Sequence, residues 1–162
     1  MSASKFFVLV VVVISAAIGA SAQGKVQTVF NLEENVEKKA SIPDAVIAVL
    51  KSDKRVDACF QEKGEGANEA EWFEASEIDL NSDKRMDLIV KAKDGCLFGA
   101  NQGPFWVFQN SSDGYRQIFS ASGLQLSVLS KKSNSFNQIK MSKAVAMKPV
   151  SQTFSFKSGK YQ

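Results

Sequence analysis

The chain has 162 residues, 44% of them hydrophobic and 23% charged, with formal net charge +3, two cysteines and no histidine. That balance belongs to a folded domain and excludes a disordered polyampholyte. Without histidine there is no Ser-His-Asp or Cys-His catalysis, no histidine-ligated metal and no histidine pH switch; carboxylate and lysine chemistry stay open.

Lys5, the apolar run Phe6–Ile14 and the small residues Ala20-Ser21-Ala22 read as a secretory signal peptide over residues 1–22. A membrane anchor is the alternative, but the run falls short of the roughly 20 residues a spanning helix needs. No later stretch is apolar enough to cross a bilayer. The expected mature chain, residues 23–162, is a single exported α+β domain, secreted or periplasmic. Export makes the cysteines legible as one disulfide, Cys59–Cys96. Closing that loop is worth about 4 kcal/mol in the chain-entropy picture. A redox or metal pair is the competing reading; the spacing is not C-x-x-C, and two thiols alone make a poor metal site.

In chain order, Lys25–Phe30 is a candidate edge strand or ordered lead-in, followed by a charged stretch to Lys39. Ser41-Ile-Pro-Asp44 has the capping-box pattern, and Ile42, Ala45, Val46, Val49 and Leu50 fall on one helical face. The helix should reach about Ser52, with a second short segment over Val56–Phe60. Gln61–Ala70 reads as a loop by its glycines and charge. From Glu71 the period becomes alternating. Strands are expected over Trp72–Leu80, Met86–Ala92, Pro104–Gln109, Tyr115–Phe119, Gln125–Leu129, Phe136–Met141 and Gln152–Lys157, with turn signals between them. The fold class is α+β: an N-terminal helical segment packed on an antiparallel β-meander.

Asp79, Asn81, Asp83 and Asp87 place oxygen side chains at relative positions 1, 3, 5 and 9, the spacing of EF-hand-like calcium loops. The Arg85 carbonyl would serve at position 7. Lys84 stands where glycine usually makes the turn, and Val90 stands where a bidentate glutamate would close the loop. The competing reading is an Asp/Asn-rich turn bonded to its own backbone. Ile78–Val90 resembles the "DLNGDGxPDLIV" segment of FG-GAP/VCBS repeats, which implies a calcium loop between two strands. More broadly, residues 71–162 are similar to small exported bacterial proteins sharing that segment, a cysteine (here Cys96) and a "GAN..PFWVF" stretch (here Gly99–Asn101 and Pro104–Phe108). The resemblance implies a single blade-like sheet and transfers no activity.

Residues 23–99 hold 11 basic and 16 acidic side chains, whereas residues 100–162 hold 8 basic and 1 acidic, Asp113. Either the halves neutralise one another and lysines guard exposed strands, or the second half offers a basic surface to an anionic partner. Ser-Asp-Lys-Arg-x-Asp occurs twice, at Ser52–Asp57 and Ser82–Asp87, in surroundings too different for a repeat. Phe105, Trp106 and Phe108 could line a carbohydrate platform, but both faces of that strand are apolar, which favours core. Glu71, Glu74, Glu77 and Asp79 leave a carboxylate-based glycan hydrolase as a remote option. The leading expectation is a non-catalytic exported binding or accessory module, inhibitor-like, with an unknown protein or an anionic envelope polymer as partner and no nucleic acid. The alternative is a calcium-stabilised structural module.

Overall fold

The structure is a computed structural model that describes residues 26–64, 69–99, 102–146 and 148–162. The expected signal peptide lies outside the described residues. Among the described residues, ten strands and two α-helices form a mixed α+β fold in three layers. Strands β2 (Phe73–Ile78), β3 (Asp87–Ala92), β4 (Gly103–Ser111) and β5 (Gly114–Gly123) make an antiparallel meander in chain order. A second antiparallel sheet has the order β1-β6-β7-β8, with β1 at Val29–Asn31, β6 at Gln125–Ser133, β7 at Phe136–Val145 and β8 at Lys148–Phe154. A small hairpin, β9 (Phe156–Lys157) and β10 (Lys160–Tyr161), comes last.

Period-two alternation explains the layering. Leu88, Val90, Trp106 and Phe108 project to one side of the first sheet, where they meet Val46 and Leu50 of α1 (Asp44–Lys51) and Val56 and Cys59 of α2 (Lys54–Lys63). Ile89, Phe105 and Val107 project to the other side and meet Phe30, Leu126, Ile139 and Met141 of the second sheet. The first sheet is therefore the middle layer, and its strands read as continuous apolar runs because both faces are covered. Phe105, Trp106, Val107 and Phe108 are all at 0% exposure, so the aromatic run is core and not a carbohydrate platform. Each such side chain contributes roughly 1.5–3 kcal/mol of burial.

The chain changes sheets at Gly123. Leu124, between β5 and β6, donates its amide to the Ser142 carbonyl at 2.8 Å. A Cβ on Gly123 would collide with the Met141 sulfur and sit 2.7 Å from that same carbonyl, so only glycine permits the crossing.

Several expectations need correction. The helical segment is not N-terminal: β1 precedes it and pairs with β6, Phe30 opposite Leu126. Of the two readings of this stretch, edge strand or ordered lead-in, the edge strand is the one found, and it buries Phe30. The single meander is two sheets. The capping box is not used. Helix α1 starts after Pro43, whose backbone is extended (φ −63°, ψ 149°), and Ser41 does not cap it. Proline disfavours helical geometry in the residue before it, which pushes the start past Ile42. Helix α2 also runs further than expected, to Lys63, where Gly64 caps it at φ 79°.

Cys59 and Cys96 form the disulfide, with Cα atoms 5.6 Å apart. It fastens α2 to the turn Gly95–Leu97 after β3.

Candidate functional site

The Asp79–Asp87 loop joins β2 to β3. Asp79 accepts the Ser82 amide at 2.7 Å on Oδ1 and the Lys84 amide at 3.0 Å on Oδ2. Asn81 Oδ1 accepts the Asp83 amide at 3.0 Å, and its Nδ2 donates to Asp83 Oδ2 at 2.8 Å. Asp83 Oδ1 accepts the Arg85 amide at 2.8 Å. Asp87, fully buried, accepts the Leu80 amide at 3.0 Å and the Asn110 amide at 2.8 Å. Every side-chain oxygen expected to ligate calcium thus accepts an N–H of the chain itself. Lys84 does adopt the left-handed backbone (φ 68°), as does Ser82 (φ 65°), at the two places where the resembled segment carries glycine. A cation of the chain reaches in as well: Lys132 of β6 donates to Ser82 Oγ at 2.6 Å.

Among the described residues, the three ligand-type side chains whose donor atoms meet within 4.8 Å are Cys59, Asp94 and Cys96, and both sulfurs are consumed by the disulfide. Asp79, Asp83 and Asp87 do not converge in that way. As placed, the loop's donors are those of nested Asx turns and do not fit a calcium shell of six to eight converging oxygens. Burial pushes the Asp87 carboxyl up to about 6, with the Asp83 and Asp79 charges adding to the rise against its two amide bonds.

The first Ser-Asp-Lys-Arg stretch holds a second polar node, which sequence reading passed over. Asp53 caps α2 by accepting the Arg55 amide at 3.0 Å. Its Oδ2 also accepts the Trp106 indole N–H at 2.8 Å. The Arg55 guanidinium folds back onto Asp53, donates to Ser120 Oγ at 2.7 Å and to Ser122 Oγ at 3.0 Å, and lies 5.3 Å from the Trp106 ring centroid. Burial opposes ionisation of Asp53, but the Arg55 and Trp106 bonds outweigh it and hold the carboxyl at about 2. The signal was available: a buried tryptophan needs an acceptor for its N–H.

Of the carboxylates considered for glycan chemistry, Glu74 is buried and engaged by Lys39 at 2.7 Å and Lys91 at 3.5 Å. Lys91, itself buried, donates to the Leu32 carbonyl at 2.9 Å. This pair pins the segment after β1 along the edge of β2, where Ala40 donates to the Ala75 carbonyl at 2.9 Å. Burial resists the Glu74 charge, yet Lys39, the Val36 amide and Lys91 pull its carboxyl below the usual range. Glu77 lies on the opposite side of β2 from Glu74 by strand alternation.

The second sheet differs in charge. Residues 125–162 contain seven lysines and no aspartate or glutamate. Its outer side carries aligned rows Val29–Ser127–Lys140–Thr153 and Asn31–Gln125–Ser142–Ser151 across four strands. The edge strand β8 is exposed along six of its seven residues. Pro149 blunts that edge. The Ala144 carbonyl points away from β8, to Gln102, so the paired Pro149 turns its donorless nitrogen outward. No helix among the described residues is long and apolar enough to cross a membrane.

Compared with known proteins, the chain matches no family model, and no curated protein or solved structure matches it.

Proposed function

We propose that this chain is a non-catalytic exported module that binds an anionic envelope polymer through the sheet β1-β6-β7-β8 and the hairpin β9-β10. The observation that carries the reading is the charge of this layer. Its seven lysines make no ion pair with any described residue, while the ion pairs found among described residues lie between Lys39 and Asp94. Mutual neutralisation of the two halves would have joined them across the molecule. A layer whose strands β6 to β10 hold lysines and no aspartate or glutamate attracts anions over about a Debye length and is screened by salt; the Glu34 carboxylate, just past its β1 edge, accepts from Asn31 at 2.7 Å. The hydroxyl and amide rows between the lysines suit a hydrated polymer better than an apolar protein face.

The test uses the mature, oxidised chain. Co-sedimentation with an insoluble anionic polymer is expected at low salt and is lost as salt rises; an uncharged glycan of similar length is not bound. Equal retention by the neutral glycan would sink the reading. Cell fractionation tests the export step separately: the protein is expected in the medium or periplasm, shortened by 22 residues.

A further inference from the structure

The hairpin β9-β10 holds a more specific device. Phe156 stacks on Phe136 with centroids 3.7 Å apart, and Tyr161, opposite Phe156, donates its hydroxyl to the Asn137 carbonyl at 2.6 Å. These two residues face inward and fix the hairpin to the body. Lys157 and Lys160 are also directly opposite one another, so they share the outward face. Like charges in that register repel. Neither makes an ion pair with a described residue.

A third cation lies at the same turn. Ser158 (φ 50°) and Gly159 (φ 82°) both take the left-handed backbone, which closes the hairpin in two residues. A Cβ on Gly159 would stand 3.1 Å from Arg116 Nη1, so the guanidinium of β5 rests against the turn. Its Nη2 donates to Gln109 Oε1 at 2.9 Å, which orients the planar group. Two lysines therefore flank this turn, and an arginine from a separate element rests against it. The nearest acidic side chain in sequence to any of the three is Asp113, in the turn before β5.

We propose that Arg116, Lys157 and Lys160 form a subsite for one phosphate group of a linear phosphate-bearing polymer. The inference rests on the reading of the lysine-bearing sheet as a polymer-binding surface. Arginine offers a planar fork matched to phosphate oxygens, and the two lysines supply point charges beside it. The charge continues past the turn. Asn134 donates to the Phe156 carbonyl at 2.8 Å, which brings the end of β6, with Lys131 and Lys132, next to the hairpin. A neighbouring phosphate of the same chain can then continue from the hairpin toward the end of β6.

The probe is inorganic polyphosphate, titrated at low salt into the mature, oxidised chain and into R116Q, K157Q and K160Q. A control, K143Q with K148Q, sits at the β7–β8 turn, the far end of β7. Each of the three single variants is expected to weaken binding about tenfold, with the control within about twofold. Unchanged thermal midpoints in the three glutamine variants show that the fold is intact. If the control weakens binding as much as the hairpin variants, the subsite is overturned while the charged sheet survives as a diffuse binder. Failure of the wild-type chain to bind polyphosphate overturns both. Binding to anionic phospholipid vesicles without binding to polyphosphate overturns the polymer and assigns the surface to lipid.

Discussion

Ser52–Asp57 and Ser82–Asp87 share five of six residues and begin with the same local bond. In each, the aspartate accepts the amide of the arginine two residues on, Asp53 from Arg55 at 3.0 Å and Asp83 from Arg85 at 2.8 Å. The two copies then diverge. Lys54 enters α2, whereas Lys84 turns left-handed at φ 68°. Arg55 bends back over Trp106, while Arg85 lies exposed in its loop. Asp57 is exposed on the helix, and Asp87 is buried beneath the loop. The Asx turn is dictated locally, but the nearest apolar surface decides where the chain goes next. Behind Asp53 lies Trp106, and the helix can dock. Behind Asp83 lies a two-strand connection that must return at once.

The largest expected difference between the copies is at their shared aspartate. Asp53→Ala removes a helix cap, the acceptor of a buried indole N–H and the partner of Arg55. It should cost about 3 kcal/mol, because each lost partner leaves a donor unpaired. Asp83→Ala removes bonds in an exposed turn and should cost less than about 1 kcal/mol. Denaturant midpoints of the two variants measure the contrast, and equal losses would dismiss it.

The last aspartate of each copy gives the next largest effect, and it is pH-dependent. The Asp87 carboxyl is raised by burial to about 6, so the folded state holds its proton more tightly than the unfolded chain. Its contribution is complete below the unfolded value and is lost as pH rises through about 6. Stability should therefore fall by roughly 2 kcal/mol between about pH 4 and pH 7. Asp53 acts in the opposite sense: held at about 2, its contribution is present above the unfolded value and is lost as pH falls toward 2. A pH series of urea midpoints should show a maximum near about pH 4–5, and Asp87→Asn should flatten the limb above it. Asp57→Asn, at an exposed helix position, should change stability by less than about 0.5 kcal/mol.

Lysine distinguishes the copies by sign. Lys84→Gly relieves a left-handed side-chain residue and should stabilise by about 0.5–1 kcal/mol. Lys54→Gly loosens the first turn of α2 and should destabilise by a similar ~0.5–1 kcal/mol. The same sign in both would mean that the backbone at Lys84 is not left-handed.

Local sequence reaches only part of this architecture. The strands of the middle layer were legible because Leu88-Ile-Val90 and Phe105–Phe108 are apolar without interruption, and the disulfide because two cysteines allow one pairing. The charge split was legible by counting. Two things were not. Nothing local says that Gly123 carries the chain from one sheet to another, since the constraint is the approach of Met141 and Ser142 from β7. Nor does Gly159 announce its neighbour Arg116, 43 residues earlier. The convergence depends on β10 lying against β5, a long-range contact that periodicity does not encode.

Calcium should give the smallest effect of all. A ligand that binds only the folded state raises stability by RT ln(1 + [L]/Kd), so calcium at about 100 times its Kd would add about 2.7 kcal/mol. The loop oxygens already accept the amides of Ser82, Asp83, Lys84 and Arg85, and Lys132 supplies a positive charge at Ser82. Binding would have to turn those oxygens outward and release the amides to water. Thermal midpoints of the oxidised chain in millimolar calcium and in EDTA are therefore expected to coincide. A midpoint raised by calcium and abolished in Asp83→Ala would show that the loop reorganises around the ion. Asp83 would then matter more than Asp53, and the contrast between the two copies would invert.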